Sequence, residues 1–383
     1  MRRVLLLGGG HAHVHVLEAL RQERMPGAEV MLVSPYPQQT YSGMVPGFIA
    51  GHYSLDDCLI ALEPLAAAAG VEFVEGTAVG IDTAARRVQL ASGHVAEYDL
   101  LSIDTGPVMH RDLIPGAREH GLFLRPIEQF AALWPRVSHI GSVSSAPELG
   151  PNGLLTVVVV GGGAAGVEVA LAVRYALGPR GHVTLVSGGP PVLESYPPAI
   201  QARALRALKS RGITVLLEAC TGVAADHVLV GTGTRVACQV PVIATGAQAA
   251  PWLQGSGLSL DDAGFIRTGP TLQSLSHPEV FAAGDAATRE DAPHPRSGVF
   301  AVRAGAPLAL NLRRFVAGGE LQPYMPRPRS LNLLACGDRK AIASWGSLSF
   351  EGRLMWWWKD RVDRAFIARY RVALPTHRLE PTP

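Results

Sequence analysis

The sequence predicts an α/β fold containing two parallel-sheet βαβ units, and three observations carry that prediction. Residues 4–7, Val-Leu-Leu-Leu, run straight into Gly8-Gly9-Gly10, and residues 157–160, four valines, run into Gly161-Gly162-Gly163. Each triplet is followed by an apolar helical stretch and then by a second strand-like run, residues 30–34 and 183–187. The spacing repeats as well, since Ser34 lies 24 residues beyond Gly10 and Ser187 lies 24 beyond Gly163. Strand, glycine turn, helix and strand at equal intervals are the marks of a duplicated unit.

Composition agrees with a folded chain of about two domains. Of 383 residues, 48% are hydrophobic and 17% charged, which is globular and not disordered. With 34 basic against 32 acidic residues the net charge is +2, too small a field to argue for nucleic acid. Cys58, Cys220, Cys238 and Cys336 are far apart, with none of the close spacings of a zinc ribbon or redox dithiol. Sparse cysteine fits a cytoplasmic setting. The opening apolar run stops at Gly8, short of a signal-peptide core, and residues 153–173 are broken by three glycines and carry Glu168, so neither is expected to enter a membrane.

In a dinucleotide-binding unit of the Rossmann type, one glycine makes the tight turn, one lets backbone N–H groups approach a pyrophosphate, and one permits close helix–strand packing. The phosphates then face the helix N-terminus. Gly161-x-Gly163-x-x-Gly166 supplies all three, with Ala165 in the same turn. Gly8-x-Gly10-x-x-His13 departs at the third position, and its helix is expected to sit differently on its strand. His11 and His15 share a helical face and His13 does not. No carboxylate or cysteine stands beside them, so no metal ligands are assigned. A hydrogen bond from His11 to a cofactor and simple packing both stay open. Ser34 and Ser187 occupy the position where an acid normally binds the adenosine ribose; without that charge the second site tolerates NADPH, while the lack of Arg or Lys between residues 182 and 201 leans towards NADH.

Three further stretches resemble one superfamily. Residues 281–287, FAAGDAA, resemble its "AGDA" signature; residues 242–246, VIATG, resemble its "ATG" motif; and residues 100–106, LLSIDTG, resemble the corresponding crossover. The chain is thus similar, over residues 1–315, to the pyridine nucleotide-disulfide oxidoreductases, nearest to type II NADH dehydrogenases and to a group sometimes fused to selenide, water dikinase. The last likeness lies in GGGHAHVHVL and in residues 41–54, YSGMVPGFIAGHYS, expected against the flavin. The resemblance implies FAD, with NADH or NADPH as co-substrate. Its FAD contacts would fall on Gly8, Gly10, His11, Ala12, Ser34, Ser42, Met44, Val79, Thr105, Gly106, Gly284, Asp285 and Gly298; those of the nicotinamide nucleotide on Gly161, Gly163, Ala165, Gly166, Ser187, Thr245 and Gly246. Glu168, Val299 and Phe300 are expected beside the reacting rings, Glu168 at the nicotinamide–flavin junction and the other two in the helix begun by residues 295–303. Both glutamines of the family's quinone-site motif AQxAxQ are replaced there, by Val299 and Arg303 in GVFAVR, residues 298–303.

These motifs divide the chain into FAD segments at 1–110 and 245–318, a nicotinamide-nucleotide domain at 111–244 with its core from about 154, and an extension at 319–383. Residues 138–153 are expected as a loop. The extension predicts a hairpin with its turn near Gly337-Asp338, then a helix over 351–370 whose stripe is Leu354, Trp358, Val362, Ala365, Phe366 and Tyr370. From Leu321 onward it holds eleven Lys and Arg against five Asp and Glu, so contact with the inner face of a membrane competes with docking on the protein body or a homodimer interface. Cys336 is expected to be a spectator thiol. The expected activity is hydride transfer from NAD(P)H to non-covalent FAD and then to a small-molecule acceptor, a quinone first, a sulfur or selenium compound or oxygen after it; the rival is a slow redox-sensing flavoprotein.

Overall fold

The computed structural model describes residues 1–142, 153–327 and 330–372. Strands Arg2–Leu7 (β1), Ala28–Ser34 (β2), Glu72–Glu75 (β3) and Leu100–Ile103 (β4) pair in parallel. Strands Leu122–Phe123 (β5), Leu155–Val160 (β6), Gly181–Val186 (β7), Thr214–Leu216 (β8) and Val240–Ile243 (β9) form a second parallel sheet, ordered β5-β9-β6-β7-β8. Val280–Ala282 (β10) returns to the first sheet beside β4, giving β10-β4-β1-β2-β3. The duplication read from the glycine turns therefore extends to strand order. It extends to the insertions too: a three-stranded antiparallel meander links β3 to β4 over residues 78–97, and another links β8 to β9 over 220–237.

Valine and leucine dominate β1 and β6 because a central parallel strand is covered on both faces. Helices His11–Gln22 (α1), Leu62–Ala69 (α2), Ile127–Ser142 (α3), Ala164–Leu177 (α4), Pro198–Ser210 (α5), Gly298–Ala317 (α6) and Arg353–Tyr370 (α7) provide much of that cover. One core gathers β6, β7, α4 and α5, and another gathers β1, α1, α2 and α6. Gly305 of α6 lies where a side chain would strike the His15 ring, so the two helices pack closely at that point.

The extension forms the predicted hairpin, Leu331–Ala335 (β11) with Ala341–Trp345 (β12), and adds Leu348–Gly352 (β13). That third strand absorbs Glu351 and delays α7 to Arg353. The predicted stripe of α7 holds only at its end: Phe366 is half-buried and Tyr370 buried, but Leu354, Trp358, Val362 and Ala365 are exposed, and the other buried positions are Lys359, Asp363 and Ile367. Lys359 and Asp363 go inward because they pair with each other at 2.6 Å, one turn apart, while the lysine ammonium also donates to the Gly43 carbonyl at 2.6 Å. A hydrophobic pattern cannot anticipate a polar pair that satisfies itself. The loop expected at 138–153 is helical through Ser142, and its residues 143–152 lie outside the described ones.

Candidate functional site

A cavity of about 550 Å³ opens at the C-terminal end of β1, between the first glycine turn, the end of β2, residues 104–109, the 125–129 segment and the start of α6. The turn is possible only because Gly8 adopts φ +97°, where a Cβ would lie 2.5 Å from the Asp104 carbonyl oxygen. Gly10 then caps α1 in extended geometry, φ −70° and ψ 174°. The second turn repeats this, with Gly161 at φ +135° and Gly163 at φ −77° and ψ −179°. The two turns share this backbone geometry, and the expected difference in helix seating lies behind them: Gly166 lets α4 close on the Gly161 carbonyl, whereas α1 holds the His13 ring between itself and its sheet. His13 fits in place of a packing glycine by hydrogen bonding: its Nδ1–H donates to the Gly8 carbonyl at 2.6 Å, and Nε2 accepts from the Ser102 hydroxyl at 2.8 Å.

The three histidines separate by face as the helical spacing predicts. His11 and His15 both meet Phe366 of α7, whereas His13 faces the strand. Burial pushes His11 down to about 4, so its ring is neutral at pH 7. The Gln39 amide donates to Nδ1 at 3.2 Å, which leaves the proton on Nε2. Among the described residues that Nε2 is buried and without a partner, as are Gln39 Oε1, Thr40 Oγ1, Thr105 Oγ1 and Asp285 Oδ1, and all five residues line the cavity. Buried polar atoms are ordinarily satisfied, so five orphans around one cavity fit a polar ligand there.

Asp104 is the feature that sequence reasoning missed. It directly follows β4, is 2% exposed, and its Oδ2 accepts the amides of Ala12 at 2.7 Å and His13 at 3.0 Å. It thereby supplies from a distant strand the cap that Gly10 lacks. Burial, helped by the neighbouring Asp285, pushes it up to about 7 against those two hydrogen bonds. The signal available in the sequence was an acid directly before Thr105-Gly106 and directly after the strand LLSI, apolar but for Ser102. Arg125, also missed, approaches Asp285 at 3.9 Å, and burial raises Asp285 above the usual carboxylate range while Arg125 opposes it.

Of the expected FAD contacts, Gly8, Gly10, His11, Ser34, Ser42, Thr105, Gly106, Asp285 and Gly298 line the cavity. Ala12 and Gly284 sit just behind the wall against Asp104. Met44 is instead packed in the apolar core, and Val79 points outward at 49% exposure while Ala78 takes the wall. The register of this strand shifts between Ala78 and Gly80, which leaves the Val79 side chain on the outer face. Val299 and Phe300 are likewise not in the wall; Phe300 is buried and stacks on His294 at 4.1 Å, leaving Gly298 and Ala301 to face the cavity.

At the second turn Gly163 and Ala165 are exposed, and nothing lies within 4 Å of the absent Gly163 side chain. Gly166 is buried against the Gly161 carbonyl. Thr245 and Gly246 follow β9 beside this turn, and Ser187 is buried at the end of β7 with its hydroxyl donating to the Gly189 carbonyl at 2.9 Å. Glu168, on α4, lies outside the cavity wall under the extension: Oε1 accepts the Ala335 amide at 2.7 Å, and burial pushes the carboxyl up to about 7 against the pull of Lys359. Cys336 is buried with its thiol pushed up to about 12. Among the described residues no group of three or more His, Cys, Asp or Glu is placed to hold a metal ion.

The family model for pyridine nucleotide-disulphide oxidoreductases matches residues 2–305. The chain is 23% identical to the demethylphylloquinone reductase NdbB of Synechocystis, over 91% of this chain and 88% of that protein. It is 27% identical to an NADH dehydrogenase-like protein of Mycobacterium tuberculosis, over 77% and 75%. In fold it is similar to the sulfide:quinone oxidoreductase of Aquifex aeolicus, TM-score 0.80 at 18% identity over 97% and 92% of the two chains. It is also similar to NDH2 of Plasmodium falciparum, TM-score 0.78 at 13% identity over 96% and 97%. With both glycine turns, two matching parallel sheets and this match over most of its length, the chain belongs to the pyridine nucleotide-disulphide oxidoreductase family, as an oxidoreductase that works with FAD and a nicotinamide nucleotide.

Proposed function

We propose that the protein is an FAD-dependent NAD(P)H dehydrogenase that holds FAD in the 550 Å³ cavity, takes hydride from a nicotinamide nucleotide at the second glycine turn, and delivers electrons to a quinone. The observation that carries the reading is the cavity wall, where two glycines, the first turn of α1 and the unpartnered His11, Thr105 and Asp285 atoms converge. Bound FAD would supply the hydride acceptance and electron release that amino-acid side chains cannot. The quinone is favoured by the relative acting on demethylphylloquinone, although the family's glutamine motif is replaced in α6. A sulfur acceptor finds little support, because Cys336 keeps its proton at neutral pH and is no ready nucleophile.

The residues divide the work. His11 donates one neutral hydrogen bond into the cavity, and α6 directs its N-terminus there through Gly298. Quinone reduction consumes protons as well as electrons. Glu168, which changes protonation near neutral pH, stands beside Lys359, whose contact with Gly43 joins α7 to the segment bearing Ser42. On the outside, Trp345, Leu348, Phe350, Leu354, Trp357 and Trp358 are exposed together with Arg353 and Arg361, a surface suited to the interfacial layer of a membrane. Among the described residues no helix is long and apolar enough to cross one.

The test is Asp285→Ala in the full chain. It should purify folded and largely free of flavin, and NADH should no longer bleach it; full flavin occupancy would remove Asp285 from the site. For the nucleotide, Ser187→Glu adds an acceptor for the ribose hydroxyl and repels a 2′-phosphate. The ratio of kcat/KM for NADH over NADPH should rise about tenfold, equivalent to 1.4 kcal/mol. An unchanged ratio would show that this loop does not read the ribose.

A further inference from the structure

Asp104 and a pyrophosphate have the same address. Its carboxylate sits on the first-turn amides of α1, the helix end at which the first glycine turn directs the phosphates, and Asp104 itself is part of the cavity wall. We propose that Asp104 is a positioning residue of the flavin site whose carboxylate caps α1 and takes up one proton from water when the pyrophosphate of FAD is seated at that helix end. This rests on the assignment of the cavity to FAD.

Charge makes the proton necessary. Asp285 contributes a second carboxylate to the same wall, and a Cβ added to intervening Gly284 would lie 2.5 Å from Asp104 Oδ1. A pyrophosphate brings two more negative charges. Facing these are the partial positive charge of one helix N-terminus and the Arg125 guanidinium, which stands 3.9 Å from Asp285. The wall also carries Arg111 and Glu128, one charge of each sign, while Arg296, which also acts on Asp285, is paired with Asp261 at 3.0 Å, and burial pushes His294 down. His11 and His13, the titratable groups α1 contributes here, are both pushed down to about 4 by burial and bring no charge at neutral pH. Ser102 and Thr105 on either side of Asp104 are uncharged, and from α6 it is Ala301 that borders this corner. Like charges confined in a poorly solvated site cannot all stay ionised, and the proton goes to the group already easiest to protonate. Burial holds Asp104 at about 7 before the added charge, whereas Arg125 opposes the rise at Asp285. The reaction is a simple proton uptake, carboxylate plus hydronium to carboxylic acid and water, with no redox partner.

The sign follows from linkage. A group whose proton is held more tightly in the complex favours binding fully below its free value, about 7 here, and progressively less as pH rises through and beyond it. The experiment titrates flavin-stripped full-length protein with FAD by fluorescence quenching between pH 6 and 9, and counts protons taken up in weak buffer with an indicator dye. The wild type should lose affinity by about tenfold per pH unit above 7, and should take up about one proton per FAD at pH 8. Asp104→Asn keeps an acceptor for both α1 amides and removes the titration, so its affinity should be independent of pH and its proton uptake near zero. Asp104→Ser, which retains capping chemistry, should behave alike and serves if the first variant does not fold. Equal slopes in wild type and either folded variant, or a flat wild type, overturn the inference. A wild type that binds no FAD at any pH overturns instead the assignment of the cavity.

Discussion

Gly10→Val is expected to give protein without flavin. Gly10 is where the backbone turns from β1 into α1, and its amide donates to the Asp104 carbonyl at 3.1 Å. A Cβ there would fall inside contact distance of both that carbonyl and the Asp104 carboxyl group, before the two methyls of valine are added. Neither neighbour can yield cheaply, since one is backbone and the other caps the helix. Overpacking of this kind costs about 1–3 kcal/mol in stability, and a displaced turn also removes the amides meant for the pyrophosphate. Flavin content per chain after gel filtration, and the midpoint of urea unfolding, are the two readouts. A fully loaded, stable Gly10→Val protein would show that this turn does not approach the cofactor.

Gly166→Val should separate the two nucleotide sites. Any side chain at Gly166 would collide with the carbonyl of Gly161, so α4 must lift from the turn that it stabilises. FAD retention should stay near that of the wild type, because the first sheet and its cavity are built from other residues. Flavin reduction by saturating NADH under anaerobic conditions should slow by roughly a hundredfold, about 2.7 kcal/mol, as the nucleotide loses its phosphate seat. Dithionite supplies the control, since it reduces FAD without using the nucleotide site. Normal NADH reduction in a folded variant would place the nicotinamide elsewhere.

What could be read from the sequence was what is local. The two glycine turns, the strands that feed them and the Asp285 signature each lie within a few residues, and each requires a particular backbone or charge at a fixed place. The equal 24-residue spacing carried the duplication, and the sheet orders bear it out. Asp104 lies within the LLSIDTG motif, but its task is invisible there, because it exists only after β4 is laid beside β1 and the carboxylate meets amides 92 and 91 positions away. The face of α7 was misread for a related reason: amphipathicity weighs Lys359 and Asp363 as solvent-loving, and only their ion pair and the Gly43 carbonyl make burial tolerable. The side chains of Val79 and Phe300 lie off the cavity wall beside Ala78 and Ala301, which line it, a distinction of one residue that depends on a strand irregularity and on helix rotation.

The two matching sheets differ in where their outermost strand comes from. In the second, β5 precedes the rest in the chain, and the sheet is complete once β9 at Val240–Ile243 has been made. In the first, β10 at Val280–Ala282 must be added beside β4 after the whole second unit has intervened. A polypeptide emerging from the ribosome, which releases N-terminal units first, thus exposes the open edge of β4 until the later-made unit has left the exit tunnel. The half of this molecule synthesised first is the half that closes last, and the cavity for its cofactor, whose wall includes Asp285 just beyond β10, is assembled only near the end of translation.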